Sequence, residues 1–410
     1  MEYGLIGEHL KHSFSKDIHE YIAGYNYEIR EIKKEELSSF LLKRDFKAIN
    51  VTIPYKEAVI AYLDYISPEA KAVGAVNCIV NKNNKLYGYN SDVYGFLDLL
   101  KKNDIVIKDK YCLILGNGGA SKAVNAALEM LGAKQILKAS ILKEKDCLDY
   151  DEIKKHKEIE IIINSTPVGM YPNNDNSLIS LDDFPSLEAF VDVIYNPLRT
   201  NSVIQAELKG IKAIGGLYML VGQAVKAIEI FLDKKLDEEI LNKTYEKILK
   251  EHQNIVLIGM PSSGKSTIAK KLSEITHLPV VEMDEEIIKI IKMPIKNYFA
   301  KFGEKAFRDI ESSVIDNIYK NAPQIISTGG GAILKEDNVR KLKQNGKLYF
   351  INRDLSLLET SDDRPLSDDN DKLKIMYKNR LEKYINAADV IINNNDDIEN
   401  AVKEILEGKK

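Results

Sequence analysis

Short apolar runs alternate with helix-length amphipathic segments along most of this 410-residue chain. The runs are rich in β-branched and aliphatic residues, as in YCLIL at 111–115, EIIIN at 160–164 and NIVLI at 254–258. Strands that alternate with helices in this way are typical of sheets whose strands run parallel. The sequence therefore predicts an α/β protein built on parallel sheets.

The length of the chain predicts more than one domain, because a domain usually holds about 100 to 200 residues. Apolar residues recur on one face over 236–249 and predict a helix there. Residues 251–253 read EHQ and are expected to form a minimal linker. Since the buried strand NIVLI opens a fresh fold directly afterwards, we expect the main domain boundary at this point.

Charge and composition exclude several classes of protein. The 58 Lys and Arg residues are balanced by 62 Asp and Glu residues, which leaves no general attraction for nucleic acid. No run of about 18 apolar residues predicts a membrane span, and the N-terminus does not resemble a secretion signal. Three cysteines without C-x-x-C spacing, Cys78, Cys112 and Cys147, favour core packing in a reducing, cytoplasmic compartment.

A phosphate-binding motif follows the strand NIVLI. The sequence GMPSSGKST at 259–267 is a complete G-x-x-x-x-G-K-[ST] motif that opens into an amphipathic helix. Backbone N–H groups of such a turn surround a β-phosphate, the lysine adds positive charge and the next hydroxyl faces Mg²⁺. The predicted ATP site consists of Gly259, Ser262, Ser263, Gly264, Lys265, Ser266 and Thr267.

Residues that could bind an acceptor follow this site. Glu282 and Asp284 lie two apart after a short strand, and this spacing predicts that both point the same way at its carboxyl end. Arg308 and Glu311 lie three apart, so we expect them on one helix face. Three glycines at 329–331 would let the backbone approach a ligand without side-chain obstruction.

A polar flap, SDDRPLSDDND, carries Arg364, and the helix predicted after it carries Arg380. In this order the motifs resemble shikimate kinase, from residue 254 to about 406. The resemblance implies that Asp284 holds the substrate hydroxyls and takes the proton from the attacking one. It also implies that Lys265 and Arg364 compensate the charge of the transferring phosphoryl group. The implied shikimate site contains Asp284, Arg308, Gly330 and Arg380, and the implied Mg²⁺ site contains Ser266 and Glu282.

Two departures from this family pattern bear on ATP binding. Glu282 occupies the first acidic position of the family's D-x-D motif, which keeps the charge but adds one methylene. The flap is short and lacks the additional arginine that usually precedes R-P-L. We therefore expect a shifted Mg²⁺ contact and a weaker clamp on adenine.

A second nucleotide motif lies in the N-terminal half. The strand YCLIL leads into GNGGAS at 116–121 and then into a helix, although Ser121 stands at the third glycine position. About 20 residues on, where an NAD-binding domain places an acid, the strand QILKAS offers Lys138. A positive charge there favours a 2′-phosphate, so NADP is the predicted cofactor.

Seven further segments lie before and after this turn: HSFSKDIH, NVTIPYK, GAVNC, NSDVYGF, NSTPVGM, VDVIYNPLRT and GGLYML. In order and spacing they resemble shikimate dehydrogenase, over residues 1 to about 250. The resemblance implies a catalytic pair, Lys56 and Asp92, beside the oxygen that is reduced or oxidised. A lysine next to a carboxylate can exchange the proton that must accompany hydride transfer. The implied substrate site contains Ser13, Ser15, Thr52, Asn77, Asn90, Tyr195 and Gln223. The implied NADP site contains Gly116, Gly118, Gly119, Ala120, Lys138, Ser140, Thr166, Gly216 and Met219.

Together the two resemblances imply three α/β domains. A substrate-binding domain would span 1–95 and 217–250, a Rossmann-like NADP domain 96–216, and a P-loop domain like a nucleoside monophosphate kinase 254–410. The two halves would act in sequence, reducing 3-dehydroshikimate to shikimate and then phosphorylating it with ATP. One small acid would link both sites.

Several alternatives stay open from the sequence. Lys138-Ala139-Ser140 replaces the family's Asn-Arg-Thr, so Lys138, Ser140 or Lys143 would have to bind the phosphate, and NAD remains possible. Quinate is an alternative first substrate, and a nucleotide-sensing module without transfer activity is an alternative for the P-loop half. The packing of GGLYML on nicotinamide competes with a simple core helix start. The sequence leaves monomer or homodimer undecided.

Overall fold

The computed structural model describes residues 1–10, 13–141, 146–358 and 370–408. It divides into two compact units, Met1–Leu249 and Lys250–Lys410. The helix that ends the first unit runs over Glu239–His252, three residues later at both ends than the range predicted for it. Of the predicted linker 251–253, only Gln253 therefore lies outside regular structure.

The first unit begins with a six-stranded sheet and its helices. They are β1 (Tyr3–Gly7), α1 (Ser15–Ala23), β2 (Tyr27–Glu31), α2 (Lys34–Lys43), β3 (Ala48–Val51), β4 (Tyr65–Ile66), α3 (Pro68–Val73), β5 (Cys78–Lys82), β6 (Lys85–Tyr89) and α4 (Asp92–Lys102). The strand order is β2-β1-β3-β5-β6-β4. Its β3–β5 and β5–β6 pairs are antiparallel and its other pairs are parallel, so this sheet of the predicted α/β fold is mixed.

A five-stranded sheet completes the first unit. Its elements, with the helices that follow it, are β7 (Tyr111–Leu115), α5 (Gly119–Met130), β8 (Gln135–Ala139), β9 (Ile161–Asn164), β10 (Ala189–Asp192), α6 (Asn201–Leu208), β11 (Lys212–Ile214), α7 (Leu217–Leu232) and α8 (Glu239–His252). The order is β11-β10-β9-β7-β8, and every pair is parallel. Every residue of β9 and β10 is buried, because the strands of a parallel sheet are covered on both faces.

The second unit contains one parallel five-stranded sheet. Its elements are β12 (Asn254–Ile258), α9 (Lys265–Thr276), β13 (Val280–Glu282), α10 (Met283–Ile291), α11 (Ile295–Ile318), β14 (Ile325–Ser327), α12 (Glu336–Asn345), β15 (Gly346–Asn352), α13 (Asn370–Ala387), β16 (Val390–Asn393) and α14 (Ile398–Glu407). The order is β13-β14-β12-β15-β16, which places β12 at the centre. The phosphate motif, which follows β12, therefore emerges from the middle of this sheet. The backbone of α11 is kinked at Gly303, whose φ is 81°.

The cysteines agree with the core packing expected from the sequence for two of the three. Cys78 and Cys112 are buried, Cys147 is half-buried, and none of the three forms a disulfide bond. Within the part of the chain that the structure describes, no helix combines the length and apolar character needed to cross a membrane.

Candidate functional site

The predicted catalytic pair of the first unit is formed in the structure. Lys56 lies in the segment after β3, and Asp92 is the first residue of α4. Lys56 Nζ lies 2.5 Å from Asp92 Oδ2, and Asn77 Nδ2 donates to Asp92 Oδ1 at 2.8 Å. Both carboxylate oxygens are thus held by donors. The lysine and aspartate side chains are only 13% and 9% exposed, so water weakens their attraction little.

An amide and hydroxyl network surrounds this pair. Ser91 is not among the predicted site residues; its hydroxyl accepts from Asn77 Nδ2 at 3.0 Å and donates to Gln223 Oε1 at 3.3 Å. Asn90 Oδ1 accepts from the backbone N–H of Asp92, and its Nδ2 donates to the carbonyl of Ala75. Asn77 and Gln223 therefore adjoin the predicted catalytic pair, whereas the buried side chain of Asn90 bonds the first backbone N–H of the helix that carries Asp92.

The remaining predicted substrate residues lie at the start of the chain and after β10. The Tyr195 side chain is hydrogen-bonded to Ser13; burial raises the pKa of Tyr195, and this bond lowers it. Ser15 donates its backbone N–H to Ser13 Oγ at 3.3 Å. The structure thus brings Ser13, Ser15 and Tyr195 together. Thr52 follows β3, and its methyl faces Gly7.

The dinucleotide turn is built for close backbone approach. Gly116 has a φ of 102°, and a Cβ there would lie 2.8 Å from the methyl of Thr166. Gly118 precedes α5 with open space around it, and no side chain caps that helix. A helix N-terminus with free N–H groups suits a pyrophosphate, so these residues fit a dinucleotide. A Cβ at Gly119 would lie 3.1 Å from Lys56 Cδ, so the turn lies against the lysine predicted to be catalytic.

Other predicted cofactor residues divide into two groups. Ala120, Lys138 and Ser140 are half-buried, and Lys138 is in β8. Met219 is 6% exposed in the core, and a Cβ at Gly216 would lie 2.1 Å from the carbonyl oxygen of Val193. The structure therefore supports the core interpretation of GGLYML, and its contact with nicotinamide stays a prediction. Lys143 lies outside the described residues.

Sequence reasoning missed a buried aspartate at the end of β10. Asp192 is fully buried; Oδ2 accepts from Thr200 Oγ1 at 2.7 Å, and Oδ1 accepts from the N–H of Ile194 at 3.0 Å. Asn164 Nδ2 donates to Asp192 Oδ1, while Asn164 Oδ1 accepts from Thr166 Oγ1 at 2.7 Å. The network thus joins the Thr166 segment to the one that leads to Tyr195. Polar residues that end the apolar runs IIIN and FVD are the signal that could have found it.

Replacing Asp192 with asparagine is expected to change the pH dependence of stability. Burial raises the pKa of Asp192 to about 7, against the lowering by its hydrogen bonds. An unfolded aspartate has a pKa of about 3.9. Between these values the folded chain binds the proton more tightly, so the contribution of Asp192 to stability falls as the pH rises. The melting temperature of Asp192→Asn relative to the parent should therefore be higher at about pH 7 than at about pH 5.

The matched control is Asp17→Asn, which removes an exposed carboxyl from α1 in the same unit. Its difference from the parent should stay constant between the two pH values. An equally constant difference for Asp192→Asn would contradict the prediction.

The phosphate motif of the second unit has the backbone of a ligand-wrapping turn. Gly259 and Gly264 have φ values of 151° and 95°, and Ser262 adopts a left-handed φ of 62°. Such conformations cost free energy in non-glycine residues and cluster at ligand sites. Lys265 is 8% exposed, and its Nζ donates to the carbonyls of Gly259 and Met260 at 3.0 and 2.8 Å. Its ammonium therefore lies inside the turn.

The two predicted Mg²⁺ ligands are adjacent. Ser266 Oγ donates to Glu282 Oε2 at 3.0 Å, so the extra methylene of the glutamate allows direct contact with the hydroxyl. Among the described residues, no group of three acidic, histidine or cysteine side chains is arranged to hold a metal. Because Mg²⁺ typically uses one or two carboxylates together with substrate phosphates and water, this sparse oxygen pair fits it.

The predicted acceptor residues converge on the three glycines. Arg308 Nη1 lies 2.8 Å from Glu311 Oε2, as expected for one helix face, and a Cβ at Gly331 would lie 2.0 Å from that Nη1. Arg380 Nη1 donates to the Gly330 carbonyl at 3.0 Å. Arg308 and Arg380 are both buried, each with 8% of its surface exposed. Two guanidinium groups thus flank one glycine segment.

The placement of Asp284 corrects one premise of the sequence analysis. β13 ends at Glu282, and Asp284 lies in the first turn of α10, so strand periodicity does not align the two acids. Asp284 nevertheless lies beside the glycine segment, because its Oδ1 is 3.2 Å from the place that a Cβ on Gly329 would occupy. Glu311 Oε1 is 3.1 Å from the same place. Burial raises the pKa of Glu311, and Arg308 opposes this effect. Arg364 and the flap up to residue 369 lie outside the described residues, and the last two flap residues, Asn370 and Asp371, begin α13.

Comparisons with known proteins assign both units to families. A family model for the shikimate dehydrogenase substrate binding domain matches residues 5–79, and one for shikimate kinase matches residues 261–409. A shikimate dehydrogenase (NADP(+)) from Clostridium beijerinckii is 44% identical over 262 residues, covering 59% of this chain and 96% of that protein.

Solved structures give the same result for the first unit. Shikimate dehydrogenase 1 from Peptoclostridium difficile is 39% identical with a TM-score of 0.57, covering 60% of this chain and 98% of that one. A shikimate 5-dehydrogenase from Thermus thermophilus, in complex with NADP(H) and shikimate, is 30% identical with a TM-score of 0.54. That match covers 60% of this chain and 99% of the other.

Proposed function

The chain belongs to the shikimate dehydrogenase family and continues into a shikimate kinase domain, and from this premise we propose a bifunctional enzyme. Its first unit would reduce 3-dehydroshikimate to shikimate with NADPH, and its second would phosphorylate shikimate to shikimate 3-phosphate with ATP. The observation that carries the proposal is the presence of two assembled sites. One is the Lys56–Asp92 pair, and the other combines a P-loop with Arg308 and Arg380.

We propose the domain boundaries that the sequence suggested. The mixed sheet lies within residues 1–95, and the all-parallel sheet lies within 96–216. Helix α7, at 217–232, packs against α1, which supports its assignment to the substrate-binding domain, and against α4, the helix within which the proposed 95/96 boundary falls. The kinase would occupy 254–410.

In the dehydrogenase site, Lys56 would supply the proton that completes the reduction. NADPH supplies the hydride to the carbonyl carbon of 3-dehydroshikimate. As negative charge develops on the carbonyl oxygen, Lys56 Nζ transfers its proton to that oxygen. Asp92, whose Oδ2 lies 2.5 Å from Lys56 Nζ, orients the ammonium. Because the Lys56 side chain is 13% exposed, solvent can return the proton afterwards.

The remaining residues would bind the two ligands. The Ser13 hydroxyl, which is bonded to Tyr195 and to the backbone N–H of Ser15, would receive the substrate carboxylate together with these two residues. The amides of Asn77 and Gln223 lie beside the proposed catalytic pair. The turn around Gly116 and Gly118 would bind the pyrophosphate of NADP, and Lys138 or Ser140 its 2′-phosphate. The Thermus thermophilus relative, solved with NADP(H) and shikimate, supports this ligand pair.

In the kinase site, the buried arginines would bind shikimate through its carboxylate. A planar guanidinium meets a carboxylate with two parallel hydrogen bonds, and Arg308 and Arg380 both lie beside the glycine segment. Asp284 would accept the proton of the 3-hydroxyl as that oxygen bonds to the γ-phosphorus and ADP leaves. Lys265 would stabilise charge on the phosphates, and Mg²⁺ held near Ser266 and Glu282 would neutralise it further.

The proposal predicts conversion of 3-dehydroshikimate to shikimate 3-phosphate by the one chain. The full-length protein, with NADPH and MgATP, should oxidise NADPH and release one ADP per shikimate 3-phosphate, detected by mass spectrometry. Without MgATP, shikimate should accumulate instead. NADPH should support a higher kcat/KM than NADH, because Lys138 places positive charge where the 2′-phosphate is expected.

Each half of the proposal can fail separately in this experiment. Shikimate that accumulates unphosphorylated in the presence of MgATP would contradict the kinase assignment. A chain that phosphorylates added shikimate but does not oxidise NADPH in the presence of 3-dehydroshikimate would contradict the dehydrogenase assignment. Faster turnover with quinate and NAD would change the first substrate rather than the reaction class.

A further inference from the structure

Tyr384 contacts the glycine segment of the proposed kinase site, although it is not one of the proposed ATP, Mg²⁺ or shikimate ligands. It lies on α13, one turn after Arg380, and is fully buried. Its ring stacks on Phe350 of β15, with ring centroids 5.0 Å apart and 11° between the planes. Its hydroxyl donates a hydrogen bond to the carbonyl oxygen of Gly330. Packing against Phe350 thus holds the tyrosine ring in place, and its hydroxyl binds the glycine segment.

The Gly330 carbonyl is held by two donors from one helix. Arg380 Nη1 donates to the same oxygen at 3.0 Å, and a carbonyl oxygen has two lone pairs for two such bonds. Burial raises the pKa of Tyr384 to about 12, although Arg380 acts in the opposite direction. The phenol therefore keeps its proton and remains a donor at neutral pH.

Holding this carbonyl also orients the opposite edge of the peptide. The Gly330 carbonyl and the Gly331 N–H belong to one planar unit and point in opposite directions. A peptide between two glycines rotates easily, because neither residue has a Cβ to limit it. Gly331 packs directly on the Arg308 guanidinium, where a Cβ would lie 2.0 Å from Nη1. Rotation of this peptide would therefore turn the Gly331 N–H away and also change the contact between Gly331 and the Arg308 guanidinium.

We propose that Tyr384 is a positioning residue for the acceptor substrate of the kinase: its hydroxyl holds the Gly330–Gly331 peptide so that the Gly331 N–H, Arg308 and Arg380 face one ligand. The ligand chemistry that suits this arrangement is a small ring bearing a carboxylate and hydroxyls. The inference rests on the proposed kinase function. Tyr384 acts through Gly330 and Arg380.

Tyr384→Phe tests this role, because it removes the hydroxyl and keeps the ring that stacks on Phe350. In the full-length chain, the KM for shikimate should rise about five- to tenfold, the effect of losing one net hydrogen bond. The KM for MgATP should change less than twofold, since the phosphate turn keeps its own contacts. The dehydrogenase rate of the same preparation should equal that of the parent.

The matched control is Tyr377→Phe, two turns earlier on α13 and half-buried. It should leave both KM values unchanged. An unchanged KM for shikimate in Tyr384→Phe would overturn the inference. A parallel rise of both KM values with a lower melting temperature would also overturn it, since that pattern indicates a purely structural role. If the parent itself does not phosphorylate shikimate, the kinase proposal fails first and this inference with it.

Discussion

Replacing Lys56 with alanine should lower the rate of 3-dehydroshikimate reduction by about 10²- to 10⁴-fold, the range expected for loss of a positioned proton donor. The nearest ion partner of Asp92 disappears with it, since Lys56 Nζ lies 2.5 Å from Asp92 Oδ2. Phosphorylation of added shikimate by the same variant should match the parent, because the kinase residues lie in the other unit. NADPH oxidation and ADP release measure the two rates on one sample.

The control for this substitution is Lys71→Ala, which removes an exposed lysine from α3 in the same region. It should retain both activities. A Lys56→Ala chain that still reduces 3-dehydroshikimate within threefold of the parent rate would exclude Lys56 as the proton donor. Loss of both activities together would instead indicate that the two units do not function independently.

Replacing Lys265 with alanine should have the converse effect. Its ammonium is buried within the phosphate turn, where charge stabilisation is strong because little water competes. Phosphoryl transfer to shikimate should fall by about 10²- to 10³-fold, the range found when one electrostatic group of a transition-state site is removed. The reduction of 3-dehydroshikimate should be unaffected.

Lys270→Ala is the matched control, since Lys270 is exposed on the same helix α9. It should phosphorylate shikimate at the parent rate. Normal phosphoryl transfer by Lys265→Ala would contradict the assignment of this turn to ATP. The proposal of two separate catalytic sites would be contradicted if Lys56→Ala lowered phosphoryl transfer or if Lys265→Ala lowered the reduction of 3-dehydroshikimate.

Parallel strands and phosphate turns could be predicted because their signals are local. The runs YCLIL and NIVLI form β7 and β12 over the predicted residues, and each leads into a turn with left-handed glycines. The antiparallel hairpin of the first sheet had a local signal as well. Asn83 and Asn84, with φ values of 52° and 60°, form the turn between β5 and β6. Two adjacent asparagines between strand-like runs are typical of such a hairpin.

Side-chain orientation could not be predicted where one type of element replaces another. Asp284 was placed by strand periodicity, but α10 begins at Met283, and a helix turns successive side chains by about 100° rather than 180°. The sequence also does not show that the Asn90 side chain bonds the carbonyl of Ala75 and the backbone N–H of Asp92; its contact with substrate stays a prediction. The polar end of the run FVD marks Asp192, but its partner Asn164 is distant in sequence, as Gly330 is from Tyr384, so these contacts could not be predicted.

The close approach of Gly119 to Lys56 makes the proposed cofactor turn and the proposed proton donor mutually dependent in protein engineering. Even a methyl group at Gly119 would lie 3.1 Å from Lys56 Cδ, so the lysine would have to move to accommodate it. Substitutions intended to alter cofactor preference at this turn would therefore be non-additive with changes around the lysine. A turn transplanted from another dinucleotide-binding protein would be tolerated only if it leaves that space to the lysine.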